Sequence, residues 1–209
     1  MIFLLGGPPR VGKSIISSEI QQRHAVSVVS TDTLGAVMGN VLNPEAEPDL
    51  FVFDKFNEMP MADRMKLIME SPEVLIGYVK KESYVVWEVV ETFIKHENDD
   101  GRDVLIEGVA VLPELMSRLK DIPHRVVFIG NQGENHKENI KKYAEENEHD
   151  WMWNVSDQYI SAFSVFVNRM SAYIEQEANK YGFEYMEMDN KSFKSATKDV
   201  MKSLGLSER

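Results

Sequence analysis

The sequence predicts an α/β fold, with a five-stranded parallel sheet and helices on both of its faces. Short runs of aliphatic and β-branched residues alternate along the chain with longer segments of helical periodicity, a pattern typical of parallel strands joined by crossover helices. The chain has 209 residues and a hydrophobic content of 43%, which is enough for one full core. We therefore expect a single domain over residues 1–209, with a helical insertion at about residues 40–100 and a lid-like segment at about residues 131–153.

The individual strands and helices follow from the same patterns, taken in chain order. Strands are predicted at residues 2–5, 26–29, 103–107, 125–129 and 184–188. Helices are predicted at about residues 12–23, 62–69, 72–96, 153–181 and 192–204. Glycine stop signals support two of the boundaries, because HENDDGRD precedes the third strand and EANKYGFEY leads into the fifth.

The composition argues against several classes of function. A formal net charge of -11 disfavours nucleic acid and anionic membranes as partners, because clustered Lys and Arg hold such surfaces. The absence of cysteine rules out disulfides, thiolate zinc sites and cysteine nucleophiles, and fits a reducing compartment. The first apolar stretch ends at Gly6 and has no basic segment before it, unlike a signal peptide. We expect a cytoplasmic monomer or homodimer.

The stretch GPPRVGKS, residues 7–14, matches the pattern GxxxxGK[ST] of a phosphate-binding loop, or P-loop. It lies where that motif is needed, between the first strand and the first helix. Its glycines let successive backbone N–H groups point at one anion, and the helix dipole adds to the attraction. Lys13 would reach the β- and γ-phosphates of a nucleotide, and Ser14 would supply a hydroxyl to Mg²⁺. The residues expected to bind the nucleotide are Gly7, Arg10, Val11, Gly12, Lys13, Ser14 and Ile15.

An aspartate follows the second predicted strand, in the stretch VVSTDTLGAVM. In a doubly wound sheet, ligands bind at the carboxyl ends of the strands, so Asp32 should face the same crevice as the P-loop. A carboxylate there could accept the proton of an attacking hydroxyl, or orient that hydroxyl and the hydrated Mg²⁺. The alternative is that Ser30 or Asp32 caps a helix running on through Leu34 and Met38.

A glutamate ends the third predicted strand, in the stretch DVLIEGVAVLPEL. The continuous apolar run before it is typical of a strand buried on both faces. Glu107 could hold a water ligand of Mg²⁺ or help to position a substrate. The alternative is an exposed strand-end residue followed by an ordinary turn at Gly108.

The stretches GGPPRVGKS, VSTDTLGAVM and VLIEGVAVLP, in this order and spacing, resemble the 2-phosphoglycerate kinase group of P-loop kinases. Relatives of that group include shikimate-type, zeta-toxin-type and nucleoside monophosphate kinases. The resemblance implies the P-loop NTPase fold with a helical lid, and an ATP- and Mg²⁺-dependent phosphotransferase. It assigns Lys13 and Ser14 to the nucleotide and metal, Asp32 to the acceptor side, and Glu107 with Gly108 to the acid-glycine pair.

The chain departs from this group at one position. Such kinases usually have an arginine shortly after the Ser-Thr-Asp turn, where it can clamp an acidic acceptor. Gly35 stands here instead, which disfavours 2-phosphoglycerate in particular as the substrate.

The segment after the fourth strand lies where related kinases place a mobile lid, but it contains no arginine. Such lids usually contribute arginines to the transferring phosphoryl group. Its lysines, Lys137, Lys141 and Lys142, are outnumbered by acids, so the favoured interpretation is a solvated face with ion pairs. Arg10 and Arg169 are the better candidates for a catalytic cation.

Two groups of apolar residues have mainly structural interpretations. Helical spacing predicts one buried face made of Trp153, Ile160, Phe163, Val167, Met170 and Ile174. The aromatics of DLFVFDKFNEM, residues 49–59, could line an acceptor pocket or pack in the core.

The favoured hypothesis is a kinase that transfers the γ-phosphoryl group of ATP to a hydroxyl of a small-molecule acceptor. Its expected catalytic residues are Lys13, Asp32 and Glu107, with Ser14 and Asp32 at the metal. Two alternatives stay open at this point: an ATP-binding or ATP-hydrolysing regulator without an acceptor, and an enzyme similar to nucleoside monophosphate kinases.

Overall fold

A computed structural model describes residues 1–206 and contains one parallel sheet of five strands in that range. The strands are β1 (Ile2–Gly6), β2 (Ser27–Ser30), β3 (Val104–Gly108), β4 (His124–Gly130) and β5 (Glu184–Glu187). Their spatial order is β2-β3-β1-β4-β5, and every neighbouring pair is parallel. The predicted fold class is confirmed, and each predicted strand lies within one residue of its observed bounds.

Eight α-helices and one 3₁₀ helix connect the strands within the described range. They are α1 (Lys13–Arg23), α2 (Thr31–Val41), α3 (Val52–Glu58), α4 (Met61–Glu70), α5 (Pro72–Asp99), α6 (His136–Glu146), α7 (Asp157–Tyr181) and α8 (Phe193–Ser203), with the 3₁₀ helix at Pro113–Leu119. The short elements α3 and Pro113–Leu119 were not predicted, because periodicity is hard to detect in seven residues.

The predicted start of the long helix at Trp153 is wrong. The helix α7 begins at Asp157, because Ser156 is its N-cap and accepts a hydrogen bond from the Tyr159 N–H at 3.3 Å. Trp153 therefore lies before the helix and is 40% exposed, so it does not belong to the buried face. Ile160, Val167, Met170 and Ile174 are buried as predicted, and Phe163 is partly buried.

The core is built around the central strands of the sheet. All residues of β1 and β3 are buried, and Trp87, Val90 and Ile94 of α5 are fully buried as well. The helix α5 packs against β1, and α7 packs against β4 and β5. Among residues 1–206, no helix combines the length and apolar character needed to cross a lipid bilayer.

The strand register determines which residues meet at the functional edge of the sheet. Leu5 of β1 and Ser30 of β2 both lie beside Glu107 of β3, and Gly6 lies beside Gly108. Because parallel strands end at the same edge, the loop after β1, the turn after β2 and the turn after β3 come together there.

Candidate active site

The P-loop follows a path that requires glycine at two positions. Gly7 has a φ of 152°, and a Cβ there would lie 2.2 Å from the carbonyl oxygen of Ile129. Gly12 has a φ of 98°, and its Cβ would lie 2.4 Å from a ring carbon of Phe193. The loop is therefore pressed against β4 on one side and against the start of α8 on the other.

Lys13 opens α1 and is buried, with its side chain turned back across the loop. Its Nζ donates a hydrogen bond to the Pro8 carbonyl at 2.7 Å. Burial lowers the pKa of the ammonium group, while the charges of Asp32 and Glu107 act in the opposite direction. A buried cation at the start of a helix is a strong attractor for an anion.

Glu107 is 5% exposed, so the alternative interpretation as an exposed strand-end residue is wrong. Its Oε1 lies 3.5 Å from the Ser14 hydroxyl, and the Ser30 hydroxyl also donates a hydrogen bond to its carboxylate. Burial raises the pKa of Glu107 and Asp32 raises it further, whereas Lys13 and the two hydroxyls lower it. The strands thus place this acid directly behind the predicted metal ligand Ser14.

Asp32 lies in the first turn of α2 and is solvent-exposed. Its Oδ1 accepts hydrogen bonds from the Val109 N–H and the Thr31 hydroxyl, both at 3.3 Å. Ser30 is the N-cap residue, but its side chain bonds to Glu107 rather than to a helix N–H in the part of the chain that the structure describes. The hydrogen bonds therefore do not support the interpretation that Ser30 or Asp32 caps α2.

Gly108 allows this turn to approach β3 closely. Its φ is 146°, and a Cβ at this position would lie 1.9 Å from Thr31 Oγ1. That hydroxyl accepts a hydrogen bond from the Ala110 N–H at 3.3 Å. The turns after β2 and β3 are held together in this way, which fixes where the Asp32 carboxylate lies.

Two cavities meet at Asp32. The larger one, about 650 Å³, is lined by the P-loop from Pro9 to Ile15, by residues of the segment 131–151 and by residues near the start of α8. The smaller one, about 300 Å³, lies between α2, α3, α5 and α7. Pro9, Asp32 and Trp151 line both of them. We call them the nucleotide cavity and the second cavity.

The predicted site residues are distributed unequally around the nucleotide cavity. Its wall includes seven of them: Arg10, Val11, Gly12, Lys13, Ser14, Ile15 and Asp32. Gly7 and Glu107 are buried behind that wall. Gly7 shapes the loop, and Glu107 accepts a hydrogen bond from the Ser14 hydroxyl. Both residues can therefore affect the site without contacting a ligand.

The side chain of Arg10 joins the P-loop to the lid-like segment. Its two terminal nitrogens bind the two carboxylate oxygens of Asp150, one of them at 2.5 Å. The guanidinium carbon also lies 4.8 Å from the ring centroid of Trp151 and 6.0 Å from that of Tyr143. The hydrogen bonds from Arg10 hold the pKa of Asp150 below its usual range.

The other candidate cations lie outside both cavities. Lys141 forms ion pairs with Asp157 and Glu145, and Lys142 pairs with Glu146, all on the surface. The predicted solvated face is therefore confirmed for these two lysines. Arg169 is exposed, and it is not part of either cavity wall in the described chain.

The second cavity contains a residue that the sequence reasoning missed, Glu82. It lies on α5 among apolar neighbours, with Phe53, Val86, Phe163 and Phe166 in the same wall. Burial, Asp32 and Asp54 together raise the pKa of Glu82 to about 7. A signal was present in the sequence, because Glu82 stands three residues after Val79 and four before Val86 in an otherwise apolar helical stripe.

His136 and Trp151 were also missed. His136 is the first residue of α6, lines the nucleotide cavity and is 3% exposed. Neither ring nitrogen has a hydrogen-bond partner within residues 1–206, and burial lowers its pKa to about 4, although Asp189 opposes the shift. Trp151 lies in the turn before α7, where no periodic pattern marked it.

Comparison with solved structures identifies proteins of the same fold. A shikimate kinase from Bacteroides thetaiotaomicron superimposes with a TM-score of 0.50 at 13% identity, covering 99% of both chains. A sugar kinase from Janibacter sp. gives a TM-score of 0.51 at 11% identity, covering 99% of this chain and 95% of that one. The chain has the fold of the P-loop kinases.

Sequence comparison finds curated kinases but no match to a protein-family model. The 2-phosphoglycerate kinase of Methanopyrus kandleri is 28% identical over 131 residues, which is 62% of this chain and 38% of the relative. That of Pyrococcus furiosus is 31% identical over 116 residues, which is 54% of this chain and 36% of the relative. The matched region thus spans less than half of the length of these two relatives.

Proposed function

We propose that the protein is an ATP- and Mg²⁺-dependent kinase that transfers the γ-phosphoryl group to a hydroxyl of a small-molecule acceptor. The observation that carries this proposal is the meeting of two cavities at one carboxylate, Asp32. A regulator that only binds and hydrolyses ATP needs one cavity, whereas a phosphoryl transfer needs a donor site and an acceptor site in contact.

The nucleotide cavity fits a polyphosphate. Lys13 supplies a buried ammonium group, and the N-terminus of α1 supplies backbone N–H groups and the positive end of the helix dipole. Ser14, Asp32 and Glu107 offer hydroxyl and carboxylate oxygens, the ligand type that Mg²⁺ prefers. In the proposed complex Ser14 and Asp32 hold the metal or its waters, and Mg²⁺ supplies positive charge to the phosphates.

Asp32 acts on the acceptor in this proposal. The hydroxyl oxygen of the acceptor forms a new bond to the γ-phosphorus, the bond from that phosphorus to the ADP oxygen breaks, and the hydroxyl proton passes to Asp32 and then to solvent. Pro9 and Trp151 line both cavities and would border the phosphoryl group during transfer. The products are ADP and a phosphate monoester.

The proposed division of the chain follows the cavity walls. Phe53, Val79, Glu82 and Val86 come from the predicted insertion at about residues 40–100, and they form much of the second cavity. His136, Tyr143 and Trp151 come from the predicted lid-like segment, and they face the nucleotide cavity. We assign the first region to the acceptor and the second to nucleotide closure, within a single domain.

A screen for phosphoryl transfer tests the proposal. The protein is incubated with ATP and Mg²⁺ against pooled hydroxyl metabolites and nucleotides, beside a blank without acceptor and the Lys13→Ala variant. ADP release stimulated by one pool supports the kinase. Hydrolysis unaffected by every pool, together with a nucleotide-dependent change in shape, would identify an ATP-binding regulator in which Arg10 and Asp150 form the switching contact.

A further inference from the structure

The charge of the second cavity is entirely negative. Among residues 1–206, its charged lining residues are Asp32 and Glu82, and no Lys, Arg or His belongs to its wall. Asp54, next to Phe53 in α3, adds a further negative charge that acts on Glu82. An acceptor that carries a phosphate or a carboxylate would meet repulsion here and would find no cation in the described wall of this cavity.

Glu82 also has no partner inside the protein. In the described part of the chain its carboxylate neither accepts a hydrogen bond nor forms an ion pair, although the residue is only partly accessible to solvent. Partly buried carboxylates are normally paired or hydrogen-bonded, because removing them from water is costly. A carboxylate left without a partner in the wall of a cavity therefore suits a cationic ligand.

The remaining wall of the cavity is apolar and aromatic. Phe53, Phe163 and Phe166 contribute rings, and Val79 and Val86 contribute aliphatic surface. Aromatic rings attract cations as well as apolar groups, so this wall does not conflict with a positively charged ligand. The volume of about 300 Å³ lies at the lower end of the range for small-molecule sites.

Gly35 belongs to the same wall, three residues after Asp32 of the Ser-Thr-Asp turn. A Cβ at Gly35 would lie 3.3 Å from Val86 Cγ2, so the helices α2 and α5 are in close contact there. The absence of a side chain keeps the cavity open beside Asp32 and leaves it without a basic group.

We propose that the acceptor is a hydroxyl compound that also carries a protonated amine on an apolar skeleton, with its hydroxyl at Asp32 and its ammonium group at Glu82. This inference rests on the proposed kinase function and names its substrate class. The same charges disfavour phosphorylated acids, hydroxy acids and nucleoside monophosphates.

Matched ligands separate charge from shape in the test. Phenylethanolamine, phenylethylene glycol and mandelate share a phenyl ring and a hydroxyl, and they carry a positive, a neutral and a negative group respectively. Aliphatic amino alcohols with their diols and hydroxy acids form a second matched series. Binding is measured by calorimetry on the full chain saturated with Mg²⁺ and a non-hydrolysable ATP analogue.

We expect at least one amine to bind about tenfold or more tightly than its matched acid, and Glu82→Gln to weaken that amine by about 10- to 100-fold. The control is Glu73→Gln, which removes an exposed acid from the same helix, outside both cavities, and should change nothing. Acids that bind as well as the amines, no measurable amine binding in either series, or a Glu82→Gln variant that binds amines normally would overturn the proposal.

The test also distinguishes this inference from the kinase proposal. Amine preference is measured as binding in the presence of a non-hydrolysable ATP analogue, so it does not depend on turnover. If the protein prefers amines but transfers no phosphoryl group to the bound amine, the kinase proposal is wrong and the proposed ligand class is still supported. If the phosphoryl group is transferred to an acid or to a phosphorylated alcohol, the proposed ligand class is wrong and the kinase proposal is supported.

Discussion

The nucleotide cavity and the second cavity meet at Asp32 but are built in different ways. The nucleotide cavity takes much of its wall from seven consecutive residues, Pro9–Ile15, which present backbone N–H groups and the start of a helix to the cavity. The second cavity is assembled from side chains of α2, α3, α5, α7 and the turn after β3. The proposed donor site is therefore specified by local sequence, whereas the proposed acceptor site depends on how distant helices pack.

The largest effect should come from the residue that both cavities share. Asp32→Asn removes the negative charge but keeps an oxygen that can accept the Val109 N–H. If Asp32 deprotonates or orients the acceptor, the transfer rate should fall by roughly 10² to 10⁴ while ATP affinity changes little. Rates are measured by ADP release at saturating ATP across a range of Mg²⁺ concentrations.

Asp63→Asn is the matched control, since Asp63 is another acid in the first turn of a helix, α4, outside both cavities. It should retain the parent rate. A rate for Asp32→Asn within about threefold of the parent is too small a change for a base. Rescue of that variant by excess Mg²⁺ would show that Asp32 acts mainly through the metal rather than as a base.

On the nucleotide side, Lys13→Ala should reduce turnover by about 10² to 10³, because one fixed donor to the developing charge is lost. The effect must extend to basal ATP hydrolysis, since Lys13 lines the nucleotide cavity and not the second one. Turnover is compared with thermal melting of the same sample. A folded variant with unchanged turnover would show that the P-loop assignment is wrong.

On the acceptor side, Phe53→Ala should raise the KM for the acceptor about tenfold, because apolar contact is lost equally in the ground and transition states. The kcat and the KM for ATP should stay unchanged. Phe51→Ala is the control from the same segment, since Phe51 is outside the second cavity wall. Equal effects of the two variants on the acceptor KM would argue against the second cavity as the acceptor site.

A smaller effect is expected in stability at His136. The unfolded chain takes up a proton on this residue near pH 6.5, but the folded protein does so only near pH 4. The free energy of unfolding should therefore fall on acidification from pH 6.5 to 4, by at most about 3 kcal/mol, and be unaffected by this residue above that window.

His136→Leu should remove that contribution, because neither ring nitrogen has a partner to lose in the described structure. Urea unfolding at several pH values gives the free energy of unfolding of the parent and of the variant. The contributions of Glu82 and other titrating groups are the same in both proteins, so they cancel when one value is subtracted from the other. Parallel curves for the two proteins would mean that His136 is accessible to water, and that this part of the nucleotide cavity wall is open.

The difference between the two cavities also explains which features could be predicted from the sequence. The strands, the P-loop and the acids at the ends of β2 and β3 were predictable, because each depends on residues that are neighbours in the chain or in the register of a parallel sheet. Glu82 and Trp151 were missed, because their importance depends on burial and on cavities formed by separate helices. Trp153 was misplaced because its spacing fits the helical stripe, although Ser156 starts the helix after it.

The most direct test of phosphoryl transfer between the two cavities is the phosphorus balance of the reaction. Once the screen has identified an acceptor, ADP, phosphorylated acceptor and free phosphate are quantified together in one time course. We expect equal amounts of ADP and phosphorylated acceptor, with little free phosphate, and a parallel fall of both products in Asp32→Asn. Free phosphate equal to ADP in the presence of every hydroxyl compound would show that ATP is hydrolysed and that no phosphoryl group is transferred.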